Sequence, residues 1–223
     1  MSVEKSIGWT DKTINPIKGM CKGGCWYCWT KPLYKRKFLQ PEIRLDLTVF
    51  DGLPRKPQKI FLCSTHDLFG DWIPKGWRNT IFVEIRNRPR HAFQILTKFP
   101  QNIDRPMPGN VWLGVTVTKP IEMYSRIKGL YKEASAKLKF ISFEPLLGDV
   151  GQFRFQGWLG GKADWIIVGR LTGYGHKHDP KKFWIESILN HAKKYNTPVF
   201  IKDNLKEIWG GNLIQEMPRT RQE

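Results

Sequence analysis

Six short apolar runs, rich in β-branched residues, recur along this 223-residue chain: KIFLC at 59–63, FQILT at 93–97, VWLGVTV at 111–117, KFISFE at 139–144, WIIVG at 165–169 and PVFIK at 198–202. Near-continuous apolar character without polar alternation is the pattern of strands covered on both faces. Helical patterns fall between the runs, at about 28–38, 77–88, 121–134 and 181–195. In the last of these, Phe183, Ile185, Ile188, Leu189 and Ala192 make one apolar stripe. The segment SIGWTDKTINP, residues 6–16, supplies a first strand. Such alternation predicts parallel βαβ units. Six or seven units are too few to close an eight-unit barrel. The expected fold is therefore α/β, an open or partial barrel of mostly parallel strands. No repeat, low-complexity tract or linker interrupts the chain, which reads as a single domain over 1–223 with a core at about 6–203 and a tail at 204–223.

In folds of this class the working residues sit at the carboxyl ends of the strands. Those ends read Cys63-Ser64-Thr65-His66-Asp67, Thr97-Lys98, Thr116-Val117-Thr118, Ser142-Phe143-Glu144, Gly169-Arg170 and Lys202-Asp203-Asn204. Each alone is an ordinary polar strand end. Six in succession mark a face.

The stretch GMCKGGCWYCWTKP, residues 19–32, places Cys21, Cys25 and Cys28 within eight positions, and the only other cysteine is Cys63. No apolar run reaches the roughly 18 residues of a membrane span, and the start MSVEKSIGWTDK lacks a secretory apolar stretch. The expected compartment is the cytoplasm, where clustered thiols serve as metal ligands or catalytic groups. A structural zinc site is normally built from two ligand pairs, and here its fourth ligand would be Cys63 or His66. Three soft thiolates on one tight loop suit a [4Fe–4S] cluster with three irons held by protein and one open. Gly19, Gly23 and Gly24 give that loop the freedom to wrap a cube.

The spacing Cys21-x3-Cys25-x2-Cys28, with Tyr27 before the last cysteine, resembles the signature of the radical S-adenosylmethionine (SAM) superfamily. The resemblance implies a partial (β/α)6 barrel with the cysteine loop after its first strand. It also implies a [4Fe–4S] cluster whose open iron chelates SAM and whose electron cleaves it to methionine and a 5′-deoxyadenosyl radical. A reductant such as flavodoxin or ferredoxin would supply that electron. GWTDKTINPIKG, HDLFGDW, FQILTKFP, VWLGVTVT, FISFEPLLG and WIIVG together resemble an uncharacterised, phage-associated branch of these proteins over roughly residues 6–203. One departure is the turn after residue 169, Gly169-Arg170-Leu171-Thr172-Gly173, which lacks that branch's acidic residue. A more distant resemblance is to the spore photoproduct lyases, radical SAM enzymes that repair a thymine lesion in DNA. It rests on the three-cysteine loop, Thr97-Lys98 and Cys63-Ser64-Thr65-His66-Asp67, the last with one extra residue between Cys and Asp.

The resemblance assigns Cys21, Cys25 and Cys28 to the cluster and Tyr27 to the adenine. Lys98 would meet the SAM carboxylate, Thr116 or Thr118 the ribose or carboxylate, and Glu144 the ribose hydroxyls or sulfonium. Asp67 and His66 are comparable strand-end candidates. Cys63 would return a hydrogen atom to a product radical. Each also has a plain structural reading: core aromatic, surface lysine, strand-favouring threonine, small buried hydrophobe.

Net charge is +17 with pI near 9.8, and basic residues are densest at 31–37, 86–90 and 177–182. Either this is a solvated surface or it is the electrostatic footprint of a polyanion such as nucleic acid. Arg170, His176, Lys177 and His178 share one loop and are candidates to meet a phosphate. The expected function is a radical SAM enzyme acting on a nucleic-acid or nucleotide substrate, with lyase-type DNA repair as its specific form. Two alternatives stand beside it. One is a radical SAM enzyme for a peptide or small metabolite; the other is a zinc-stabilised nucleic-acid-binding module.

Overall fold

The computed structural model describes residues 7–151 and 163–218. The single-domain reading also takes in 1–6, 152–162 and 219–223, which lie outside the described residues. Among those described, seven parallel strands form one sheet. The chain divides into two compact units, Met1–Leu113 with Ser135–Lys137, and Gly114–Ala134 with Leu138–Glu223.

The first unit opens with β1 (Lys12–Ile14), followed by β2 (Ile17–Lys18), α1 (Lys31–Lys35), β3 (Arg44–Leu45), β4 (Lys59–Leu62), α2 (Lys75–Arg86), β5 (Ala92–Thr97) and the start of β6 (Val111–Thr116). β4 lies between β1 and β5, and β2 with β3 makes a separate antiparallel pair. The expected first strand is thus present, shortened to three residues by Pro16. β4 departs from the continuous burial expected of it: Ile60 and Leu62 are buried while Phe61 is only half-covered, against Trp9 at 4.8 Å. α1 is shorter than the expected 28–38, because residues 28–30 form turns and Lys37 takes φ 58°, a left-handed conformation that stops a helix. Burial of Ile81, Phe82 and Ile85 ties α2 to this unit's core.

The second unit holds the rest of β6, then α3 (Pro120–Glu133), β7 (Leu138–Phe143), β8 (Trp165–Val168), α4 (Lys182–Lys194), β9 (Val199–Ile201) and α5 (Lys206–Trp209). Pro120 opens α3, and the Glu122 carboxylate accepts from the N–H of Thr118 at 2.7 Å and of Lys119 at 3.3 Å, capping its first turn. Just past the end of α4, Asn196 takes φ 51°, and Thr197 N–H donates to the Ala192 carbonyl at 2.9 Å. Its stripe is narrower than expected. Ile185, Ile188 and Ala192 are buried, but Phe183 is 46% exposed. It lies in the helix's first turn, beside the Lys181 ammonium at 5.9 Å from its ring centroid. The expected tail is partly built into the sheet edge. Ile201 N–H donates to Ile214 at 2.7 Å, Glu216 N–H to Val199 at 2.9 Å, and the Trp165 indole to the Glu216 carbonyl at 2.8 Å. These bonds occupy groups that β9 would otherwise leave open as an edge strand.

Candidate functional site

Within the first unit, the cysteine loop follows the short β1–β2 segment and lies against the end of β4. Gly19 anchors it. With φ 94° and no room for a side chain (a Cβ would sit 2.1 Å from the Glu42 carbonyl oxygen), only glycine fits there. Met20 N–H donates to Pro41 at 2.9 Å, and the Tyr34 hydroxyl donates to the Gly19 carbonyl, so both ends of the loop are fixed. Cys21, Cys25 and Cys28 are all half-buried, and Cys63 is buried. The Cys21 sulfur accepts from the N–H of Gly23 at 3.4 Å and from the N–H of Asp67. The Cys28 sulfur lies 3.0 Å from the Thr30 hydroxyl. Burial pushes the Cys21 thiol up, so a metal binding there must displace its proton.

Asp67 is the hub behind the loop. Only 7% exposed, its carboxylate accepts from Thr97 Oγ1 at 2.7 Å, Lys98 N–H at 2.7 Å and Phe69 N–H at 3.1 Å. Burial raises its pKa while these donors oppose the rise. Asp67 therefore joins the ends of β4 and β5 and, through its own N–H, the cysteine loop. Asn15, which sequence reasoning passed over, does similar work at the end of β1. Its Oδ1 accepts from Ser64 Oγ at 3.2 Å and from Thr65 N–H and Oγ1 at 3.1 Å each. The one signal in the sequence was its place directly after β1; the partners, 49 and 50 positions away, were not marked.

Cys63 adopts φ 62°, a left-handed conformation that costs a non-glycine residue about 1–3 kcal/mol. Its sulfur accepts from the Ile17 N–H, and burial pushes the thiol pKa far up, so it stays S–H at neutral pH. His66 is 7% exposed, and among the described residues neither ring nitrogen has a hydrogen-bond partner. Burial lowers its pKa from the ordinary 6.5 to about 4. The unfolded chain thus takes up a proton below 6.5 that the folded chain refuses until about 4. Stability should fall as pH drops through that window, by up to about 3 kcal/mol. His91 and His191 shift the same way. The check is therefore guanidinium unfolding at pH 7 and pH 4.5 of the parent and of His66→Gln, which should lose the larger part of the pH dependence.

Tyr27 is half-buried, edge-on to Trp26 at 5.5 Å. Lys98 is half-buried, its backbone tied to Asp67. The first unit thus assembles Cys21, Asp67, Thr97 and Lys98 around one hub.

In the second unit, Thr116 is 5% exposed and its carbonyl accepts from Arg126 at 2.7 Å. The Thr118 hydroxyl donates to Glu122 at 2.9 Å, which places it in the helix cap. Glu144, at the end of β7, finds the partner that its position demands in Lys202 at the end of β9. A Cβ on Gly169 would meet both side chains at about 3 Å, so glycine is what lets them close. Arg170 and His176 both pair with Asp179, at 3.1 and 2.8 Å, which neutralises part of the loop read as basic.

Among the described residues, no three His, Cys, Asp or Glu side chains converge on a position for one metal ion. The loop's donor set nevertheless fits a larger iron–sulfur cluster. It offers three thiols and the Gly23 backbone, where a Cβ would come within 3.3 Å of the Cys21 sulfur. The Trp72 ring packs alongside, with its Cη2 3.6 Å from that same Cβ position.

A family model described as Protein of unknown function (DUF5131) matches residues 4–222. The chain belongs to that family. No curated protein matches it. Among solved structures, this DUF5131 chain resembles a doubly substituted spore photoproduct lyase with bound AdoMet and dinucleoside spore photoproduct. Identity is 13% and the TM-score 0.50, covering 82% of this chain and 61% of that one. A second spore photoproduct lyase structure, complexed with dinucleoside spore photoproduct, gives 11% identity and a TM-score of 0.43 over 80% and 60%. The chain thus spans about 61% of the first structure's length. The first likeness shows the fold of this family member: α/β, a partial radical SAM-type barrel. Among the described residues, no helix is long and apolar enough to cross a membrane.

Proposed function

We propose that this protein is a radical SAM enzyme that acts on a nucleic-acid or nucleotide substrate. The observation that carries the reading is the placement of Cys21, Cys25 and Cys28 on one glycine-anchored loop, after the first strand of a parallel sheet and against the carboxyl end of the next. When bound by those thiolates, a [4Fe–4S] cluster supplies the electron that cleaves SAM to methionine and a 5′-deoxyadenosyl radical.

The protein's own residues then have separable duties. Gly23 and Asp67 offer N–H donors at the Cys21 sulfur. Tyr27 would hold the adenine of a bound SAM, and Lys98 would offer a cation to its carboxylate. Thr116 and Glu144 are assigned to SAM's ribose and sulfonium region. For Glu144 this requires sharing with Lys202. Cys63 keeps its proton, as a hydrogen-atom donor must, and its strained backbone is the kind of outlier that function maintains. An electron donor of the flavodoxin or ferredoxin type and a cytoplasmic setting complete the proposal. Repair of a thymine lesion is its most specific form, supported by the fold shared with a spore photoproduct lyase that holds dinucleoside spore photoproduct.

The substrate half is tested by supplying a deuterated oligonucleotide, with and without thymine lesions, to the reduced enzyme. Deuterium should appear in 5′-deoxyadenosine. If SAM is cleaved but the 5′-deoxyadenosine stays unlabelled with either oligonucleotide, the nucleic-acid assignment fails. For Cys63→Ala, SAM cleavage should persist while the yield of clean product drops at least tenfold, read by mass spectrometry of the oligonucleotide.

A further inference from the structure

Eleven large apolar side chains are exposed among the described residues, and five of them, Met20, Trp26, Trp29, Phe38 and Leu39, lie within residues 20–39. That density is unusual beside a candidate reaction site. Trp26 directly follows Cys25 and is 46% exposed, and Trp29 directly follows Cys28 and is 58% exposed. Trp26 is held edge-on by Tyr27, with interplanar angle 85°. The same stretch is strongly basic. Residues 12–41 carry seven Lys or Arg and no Asp or Glu, and Lys22, Lys35, Arg36 and Lys37 are exposed.

We propose that the cysteine loop and α1 form a stacking platform for unpaired nucleotides. Trp26 and Trp29 receive base faces, and Lys22, Lys35, Arg36 and Lys37 hold phosphates. This rests on the nucleic-acid reading above and narrows it to single strands or locally opened duplex. The reason is geometric. A base in a duplex has both faces covered, so exposed indoles beside it gain little, whereas an unpaired base stacks on them whatever its sequence. A reaction on a base or its sugar needs the same opening. An interfacial membrane element would instead carry its aromatics along one face of an extended amphipathic helix. Here α1 is five residues long and the tryptophans sit on a loop fixed at Gly19 and Tyr34.

The test is fluorescence anisotropy of the full chain with a labelled oligothymidine of about 15 nucleotides, a hairpin duplex of the same length, and phosphatidylserine vesicles. The single strand should bind at least tenfold tighter than the duplex. Trp26→Ala and Trp29→Ala should each weaken single-strand binding about tenfold, with the salt slope unchanged and with Trp→Phe variants restoring most of the loss. The triple change Lys35→Gln, Arg36→Gln, Lys37→Gln should lower the slope of log K against log salt by about 2. Equal binding of strand and duplex, or indifference to both alanine changes, overturns the platform while leaving nucleic-acid binding in place. No salt-dependent binding to either oligonucleotide overturns the nucleic-acid reading itself, and tighter binding to vesicles than to the single strand overturns both.

Discussion

Alanine at any one of Cys21, Cys25 or Cys28 should abolish SAM cleavage, at least a hundredfold below the parent, and reduce iron retained after anaerobic reconstitution. The same variants should stay folded. All three thiols are half-exposed on a loop, outside the buried core, and a small side chain removed there leaves no large cavity. Guanidinium unfolding of the metal-free variants should therefore match the metal-free parent within about 0.5 kcal/mol. Loss of chemistry without loss of fold is the signature of ligands. Cys63→Ala and His66→Ala, by contrast, should retain the iron. A zinc-stabilised module reverses this last expectation, because its fourth ligand would have to be one of those two.

The largest stability effect is expected at Asp67. Asp67→Ala removes the acceptor of three donors, Thr97 Oγ1, Lys98 N–H and Phe69 N–H, in a position where little water reaches them. A buried donor left without a partner costs about 1–3 kcal/mol. Relief of the buried charge offsets part of that sum, for a net loss of about 3 kcal/mol. Against a total stability of about 5–15 kcal/mol, this should lower the melting temperature by roughly 10 °C. Asp67→Asn keeps one carbonyl oxygen and should lose only about 1 kcal/mol. Because the Asp67 N–H also meets the Cys21 sulfur, both variants should disturb the loop before any remote position does. A loss below about 0.5 kcal/mol for the alanine variant would remove Asp67 from its place as hub.

The strands were legible because burial on both faces leaves an unbroken apolar run. The observed β5, β6, β7, β8 and β9 lie within a residue or two of the runs that foretold them. The cysteine loop was legible for a different reason: three thiols within eight positions are visible without any knowledge of the fold. Partners far apart in sequence were not. Nothing near Glu144 points to Lys202, 58 positions away, nor does Asn15 announce its hold on Ser64 and Thr65. Thr118 looked like a ligand-binding strand end, but Glu122 four residues later claims its hydroxyl. That capping pattern is readable only once the start of α3 is known. Phe183 shows the converse. An apolar residue on the right helical stripe lies in the first turn, where it stays exposed.

The central claim is that the three-cysteine loop holds a cluster that cleaves SAM. Its most direct test is anaerobic reconstitution of the full chain with iron and sulfide, followed by dithionite and SAM, with 5′-deoxyadenosine measured by chromatography. The account requires a brown protein with an absorbance band at about 400 nm and 5′-deoxyadenosine that disappears in Cys25→Ala. A colourless protein that retains one zinc per chain and leaves SAM intact would contradict it.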